Sequence, residues 1–381
     1  MKLEDLQTPC FVLDADELRA NYRDMARAFR ARFRHAEIAY SVKTNAHPAV
    51  LRILREEGAA AEVVSDTEYR LARALGFRSI VYNGPCKGHD SFLEAVRSGA
   101  IVNLDSKREL RWLAELPREG RFNVGLRIHV PLPEDETFSR FGFDGDELRE
   151  AVLALEAMPH VRLAGIHLHR TSKSRSLDVY RTLIRRATGV LRDFSMEPGY
   201  IDIGGGFFGH FPGKPGYDDY ADAIAEGLRT VCGPETRIIA EPGNALIASP
   251  LTFVTSVTDC KTVGNERIAV TDGSRGDIDP FFRKSDYFKD FPTVEPGRPR
   301  LRSQTVVGHT CLENDRLFHL EDAPELREGD RITYRNTGAY TMALSPLFIR
   351  YFPRVYVQEN GDLRPETREW TAQDYLNGYG I

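Results

Sequence analysis

Eight short apolar, β-prone runs alternate with amphipathic helical patterns over the first two-thirds of this chain, and few folds accept that alternation. The runs fall at 37–42, 61–64, 79–82, 101–104, 122–129, 163–168, 199–203 and 237–241. Between them, 47–57, 66–75, 90–98, 106–116, 145–157, 175–195 and 217–232 carry apolar residues at helical spacing. Strand and helix in turn bring parallel strands together through helical crossovers. Eight such units predict a closed (β/α)8 barrel of the TIM type; a doubly wound open sheet is the competing layout, which counting alone does not exclude. A further helix precedes the first run, where Leu18, Tyr22, Met25, Phe29 and Phe33 recur every three or four residues and mark one buried face.

Past residue 245 the helical periodicity fades. Segments 252–257, 268–271 and 331–334 read as β-strands set between Gly, Pro and Asp turns, so a second, β-rich domain is expected from 246 onward. Two domains also suit a length of 381 residues. The stretch 272–304, rich in Asp, Pro, Arg and Phe, is expected to be a long functional loop. A net charge of −5 with interspersed signs offers no basic stripe, which argues against nucleic acid and anionic membranes as partners. Met1-Lys2-Leu3-Glu4-Asp5 holds no apolar signal core, and no run approaches a membrane span. Five scattered cysteines without a C-x-x-C pair imply neither a disulfide framework nor a zinc ribbon. A soluble cytoplasmic protein is the expectation.

In a barrel, chemistry gathers at the C-terminal ends of the strands. Read in order, those ends offer Lys43, then Glu62 with Ser65, Asn83, Arg127 and His169, then Gly204, Gly205 and Gly206, and finally Glu241-Pro242-Gly243. An amine at a strand tip can form a Schiff base with an aldehyde when its pKa is depressed. A glycine run opening toward a helix lets backbone N–H groups approach an anion such as phosphate. The aldehyde with a phosphate is pyridoxal 5′-phosphate (PLP), whose pyridine nitrogen needs a charged partner, here Glu241. His167 and His169 would share one strand face, which permits a metal, yet no matching ligand set stands at the other tips, and none is expected. Arg127 has an alternative reading as a structural ion-pair partner near His169. Cys311 can be read as an inert thiol, but Glu313 and Asp315 crowd it in a turn-prone segment and favour a role in the chemistry. Tyr340 could equally be a core aromatic.

Together these segments resemble the fold-type III PLP-dependent decarboxylases, the group holding ornithine, arginine and diaminopimelate decarboxylases, with an alanine-racemase-like barrel. Tyr40-Ser41-Val42-Lys43-Thr44-Asn45 is similar to the cofactor-lysine motif, and His167-Leu168-His169-Arg170-Thr171-Ser172 to the histidine segment. Asp202-Ile203-Gly204-Gly205-Gly206-Phe207 resembles the glycine motif and Glu241-Pro242-Gly243-Asn244 the acidic one. Gly308-His309-Thr310-Cys311 and Gly338-Ala339-Tyr340 match two more, so the likeness runs from residue 8 to about 350. The resemblance implies a PLP barrel over 14–245, with 1–13 and 246–381 forming the β-rich domain. It implies Lys43 as the cofactor lysine, His169 stacked on the ring, Glu241 at the pyridine nitrogen, and Ser172, Gly204–Gly206, Gly243 and Tyr340 around the phosphate. It further implies a homodimer with shared sites, in which Cys311 of one copy serves the other as proton donor.

Three positions depart from the family pattern. Glu62 stands where aspartate is usual, and Asn244 where the acidic motif usually ends in arginine. Leu312 replaces an acid that commonly helps recognise the substrate's distal amino group; the acid comes one place later, as Glu313. A simple diamine precursor is then less secure, and Arg275 and Arg283 in the long loop offer partners for a distal carboxylate. The expected reaction is decarboxylation of a diamino acid, a diaminopimelate-like compound or an amino-acid conjugate. The alternatives are a racemase of the same fold and a non-catalytic homologue that acts as a binding protein.

Overall fold

The computed structural model describes residues 5–132, 139–170, 174–345 and 347–381, and the chain divides into two compact units. One runs from Arg19 to Leu246; the other joins the N-terminal stretch up to Leu18 with Ile247–Ile381, so the boundary falls within the first helix, Ala15–Arg30.

Strand β1 (Cys10–Asp14) belongs to the second unit. The first unit is a closed parallel barrel of β2 (Ala36–Ser41), β3 (Ala60–Val63), β4 (Ile80–Tyr82), β5 (Ile101–Leu104), β6 (Phe122–Arg127), β7 (Val161–His167), β8 (Tyr200–Asp202) and β9 (Arg237–Ala240). Closure comes from β9 pairing with β2, Ile238 against Ala36 and Ala240 against Ile38, which excludes the open doubly wound sheet. Most element ends fall within two residues of those read from the periodicity. Small residues line the barrel because one large ring occupies it. A Cβ on Gly125 would lie 2.1 Å from the Tyr200 hydroxyl, and one on Gly165 would lie 2.5 Å from the Tyr200 carbonyl oxygen. Ala39, Ala60 and Ala164 join the same cluster.

The helical stripe Leu18, Tyr22, Met25 and Phe29 is buried as its spacing requires, each side chain contributing roughly 1.5–3 kcal/mol. Phe33 lies beyond the helix end and is half-buried. Lys43 stands on a single 3-10 turn, Val42–Thr44, just past β2. Pro48 at the next helix start and the His47 ring, which accepts from the Ala49 N–H, force the chain to turn there.

In the second unit, β10 (Leu251–Val263), β11 (Glu266–Thr271), β12 (Lys289–Asp290), β13 (Arg300–Val307), β14 (Arg316–Pro324), β15 (Arg331–Tyr334), β16 (Arg354–Glu359) and β17 (Asp362–Thr367) form a mixed sheet with β1. Its order is β14-β13-β11-β10-β1-β16-β17, with β15 on β10 and β12. β1 runs antiparallel to β10 and parallel to β16. The expected loop 272–304 is shorter than its composition suggested. Arg275–Ile278 is a helical turn capped by Ser274, and residues from Arg300 onward alternate along β13 against β14.

Candidate functional site

The tips of the barrel strands carry an unusual density of buried polar groups, costly unless they satisfy one another. At one end the Lys43 ammonium donates to Oε2 of Glu62 at 2.6 Å and to the Ser41 hydroxyl at 2.7 Å, and Ser41 donates to the same carboxylate oxygen. Glu62 is 1% exposed, whereas the lysine side chain is 35% exposed. The amine thus has a fixed anionic partner that is buried, while the lysine itself stays part-exposed.

Asn83, at the end of β4, donates from its amide to Oε1 of Glu62 at 3.3 Å and also to Oε1 of Glu241. Its carbonyl accepts from Asn103 at 2.9 Å, and Asn103 also donates to Asp202 and accepts the Tyr200 hydroxyl at 2.7 Å. Glu241, Asp202 and His167 lie close together at the bottom of the mouth, all buried. The Asp202 and Glu241 carboxyls differ in charge. Burial and the neighbouring Glu241 charge drive the Asp202 carboxyl well above the usual carboxylate range. Burial pushes Glu241 up as well, but the His167 ring, the hydrogen bond from Asp202 and the Lys43 charge outweigh it and hold the carboxyl far below its ordinary value. The pair titrates as a unit, with Glu241 its more acidic member and Asp202 its less acidic one. His167 Nε2 stands 3.5 Å from Oε2 of Glu241, an electrostatic contact longer than a formed hydrogen bond. These three side chains are also close enough to ligate a cation together.

The His169 Nδ1 accepts from the Gly205 N–H at 3.0 Å, which fixes the tautomer with the proton on Nε2. Burial, helped by the Arg127 guanidinium, pushes its pKa down to about 3, so the ring is neutral at any physiological pH. Arg127 itself is held by Asp105 at 3.0 Å and lies over the Phe141 ring, so its structural reading has a clear partner. In the glycine run, Gly204 and Gly206 have positive φ, and a Cβ on Gly205 would sit 2.2 Å from the Glu241 carbonyl oxygen. Two of the run's amides already have partners, Gly204 on Asp202 and Gly205 on His169. Gly243 packs so tightly that a Cβ would meet the Thr44 hydroxyl at 2.0 Å, tying the acidic motif to the turn that carries Lys43. Ser172 lies outside the described residues.

The remaining expected site residues belong to the second unit. Cys311 and Leu312 are exposed on a turn beside a groove of about 610 Å³ lined by Ile268, Val270, Val307 and Glu313. Asp315 is buried and committed to that turn. It accepts from the Arg275 N–H at 2.7 Å and from the Thr310 hydroxyl at 2.6 Å, and a Cβ on Gly308 would strike it. The Arg275 guanidinium spans Asp279 and the Lys284 carbonyl, and Arg283 lies over the Phe281 ring. Tyr340 is exposed with φ 56, and a Cβ on Gly338 before it would strike the Ile247 carbonyl oxygen.

Sequence reasoning named Asn83 and Asp202 without a role and missed Asn103, Lys87 and Glu109. Lys87 and Glu109 form a fully buried ion pair at 3.0 Å, with Lys87 also donating to the Gly84 carbonyl at 2.9 Å. The signal for Asn103 was a single amide inside the apolar run Ile101–Leu104.

Residues 16–248 match the family model described as the pyridoxal binding domain of pyridoxal-dependent decarboxylases. The chain is 30% identical to a diaminopimelate decarboxylase of Actinosynnema pretiosum subsp. auranticum, covering 97% of this chain and 88% of that protein. It is 27% identical to an L-glutamyl-[BtrI acyl-carrier protein] decarboxylase of Niallia circulans, covering 97% and 93%. Among solved structures, diaminopimelate decarboxylase from M. jannaschii superposes with a TM-score of 0.87 at 22% identity, over 98% of this chain and 92% of that one.

Proposed function

The chain belongs to the pyridoxal-dependent decarboxylase family, and on that premise we propose that Lys43, Glu62, His169 and Glu241 form its cofactor site and that its substrate has no free ammonium group at the far end. The protein is a PLP-dependent amino-acid decarboxylase, a carboxy-lyase. When bound, PLP supplies an aldehyde for the amine and a protonated pyridine ring that takes up the electron pair left by loss of CO2.

The donor set fits that group: an amine facing the mouth, a neutral imidazole and an ionised carboxylate, all on strand tips of one barrel. Glu241 would hold a proton on the pyridine nitrogen, for which an ionised carboxylate is required. His169, being neutral, would pack against the ring without competing for its charge. Glu62 and Ser41 keep the Lys43 nitrogen pointed at the mouth and offer it a place to leave a proton. The phosphate would lie at Gly206 and Gly243, with Ser172 as a further donor. Cys311 would return a proton to the product carbon across a homodimer interface, so that each site draws on both copies. Asp315 and Arg275 would shape the turn and the loop around Cys311 rather than touch substrate. No helix among the described residues is long and apolar enough to cross a membrane.

The observation that carries the substrate reading is Leu312, 43% exposed and apolar, directly after Cys311. An ammonium ion placed against it would lose water and gain no partner. The relative named for an L-glutamyl group on an acyl-carrier protein makes a conjugated amino acid a concrete candidate. CO2 release across a panel of ornithine, lysine, meso-diaminopimelate and glutamyl conjugates tests this. The expected result is poor turnover of ornithine, lysine and meso-diaminopimelate, with Leu312→Asp improving that of ornithine and lysine; efficient wild-type turnover of any of the three refutes the reading.

A further inference from the structure

Asn83 is buried, and every polar group of its side chain is in use. Its amide nitrogen serves two carboxylates from different strands, Glu62 on β3 and Glu241 just past β9, while its oxygen accepts from Asn103. The orientation is forced: a flipped amide would set its oxygen against both carboxylates and its nitrogen against the Asn103 amide. The two acids so joined stand at opposite functional ends of the cofactor site proposed above.

We propose that Asn83 is a positioning residue that ties the lysine-end carboxylate, Glu62, to the pyridine-end carboxylate, Glu241, so that a change of charge at one end is felt at the other. The physical basis is a shared donor. When the Lys43 ammonium is withdrawn from Glu62, that carboxylate draws harder on the amide, and Glu241 loses part of its stabilisation. Glu241 then becomes the more basic carboxylate, which alters how it shares a proton with its ring-side partner. Among the described residues the groups facing this pair include Lys43, Ser41 and Glu68 at Glu62, and His167, Asp202, His169 and Tyr180 at Glu241.

The proposal rests on the cofactor-site reading, and the test separates the two. Wild type, Lys43→Ala, Asn83→Ala, Asn83→Ser, Glu62→Gln and the Asn83→Ala/Glu62→Gln double variant are loaded with PLP. Two quantities are measured: the PLP dissociation constant and the pH midpoint of the visible absorbance of lysine-bound cofactor. Lys43→Ala must abolish that absorbance; if it does not, the site reading itself fails, and the proposal with it. The expected result is that Asn83→Ala weakens PLP binding about tenfold and moves the midpoint by about one unit, as loss of a hydrogen bond to a charged group implies. Asn83→Ser, which restores one donor, recovers part of both shifts and serves as the readout should the alanine variant fold poorly. Glu62→Gln moves the midpoint in the Asn83 background and loses at least half of that effect in the Asn83→Ala background. Additive shifts, or a lowered melting temperature with midpoint and affinity within twofold of wild type, would reduce Asn83 to a structural plug and overturn the proposal.

Discussion

The Lys43 nitrogen lies 2.6 Å from Oε2 of Glu62, a carboxylate that water scarcely reaches. Removing the amine leaves this carboxylate with two neutral donors, Ser41 and Asn83. Lys43→Ala should destabilise the cofactor-free protein by about 1–2 kcal/mol, the range for a buried group that loses a charged partner at a part-exposed site. Adding Glu62→Gln should recover most of the loss. Urea melts of the apo proteins check this.

The Lys87–Glu109 pair is excluded from water on both sides, and burial pushes the lysine pKa down and the glutamate pKa up despite their mutual attraction. Lys87→Met or Glu109→Leu alone should cost about 3–5 kcal/mol, because each strands a buried charge. The double variant should melt within a degree or two of wild type or above it. Calorimetry of the three proteins decides between a pair that stabilises and one that is merely tolerated.

Asp277, in the turn after Ser274, has its pKa raised to about 7 by burial, with the Asp315 charge adding to it. The folded state keeps a proton there between about pH 4 and 7 that the unfolded chain has released. Stability is therefore greatest below that window, falls as pH rises through it and stays lost above pH 7. Asp277→Asn, whose carbonyl can still accept from the Ser274 N–H, should raise stability by about 4 kcal/mol at pH 8 and leave it unchanged near pH 4. Melting curves at the two pH values check the sign.

Sites completed by a second copy can be tested by mixing. Lys43→Ala and Cys311→Ala should each be inactive as pure proteins. After co-refolding, one intact site should form in each mixed dimer and restore about a quarter of wild-type activity, the share expected from random assortment of two-fold dimers. Absence of recovery in a mixture shown to contain hybrids would mean that Lys43 and Cys311 of the same copy work together.

The barrel was legible because its strands are apolar on both faces and its helices on one, so the two periods alternate without ambiguity. The placement of Lys43, His169 and Glu241 at strand ends was legible as well, since the strand boundaries follow the same periodicity. The polar interior was not. Asn103 sits in a run of Ile, Val and Leu, and nothing in that run announces that Tyr200, almost a hundred residues on, will donate to it. Lys87 and Glu109 read as surface charges, because each alone would be one and only the fold makes them a pair. The 272–304 stretch misled for a related reason: its prolines and charges hide the alternation of Arg300–Val307, which only the pairing with β14 reveals.

One feature of the sheet bears on how the chain is made. Strand β1 is synthesised before the barrel strands, yet its hydrogen-bonding edges belong to β10 and β16, which come after them. The barrel segment, continuous in sequence, has all of its strands well before β16 is synthesised. During translation β1 is therefore an unsatisfied edge, Cys10 and Phe11 included, carried by a chain whose barrel can already close. Nascent chains truncated before β16 should hold a protease-resistant barrel and an adhesive β1 segment, with a thiol at position 10 that only the finished protein conceals.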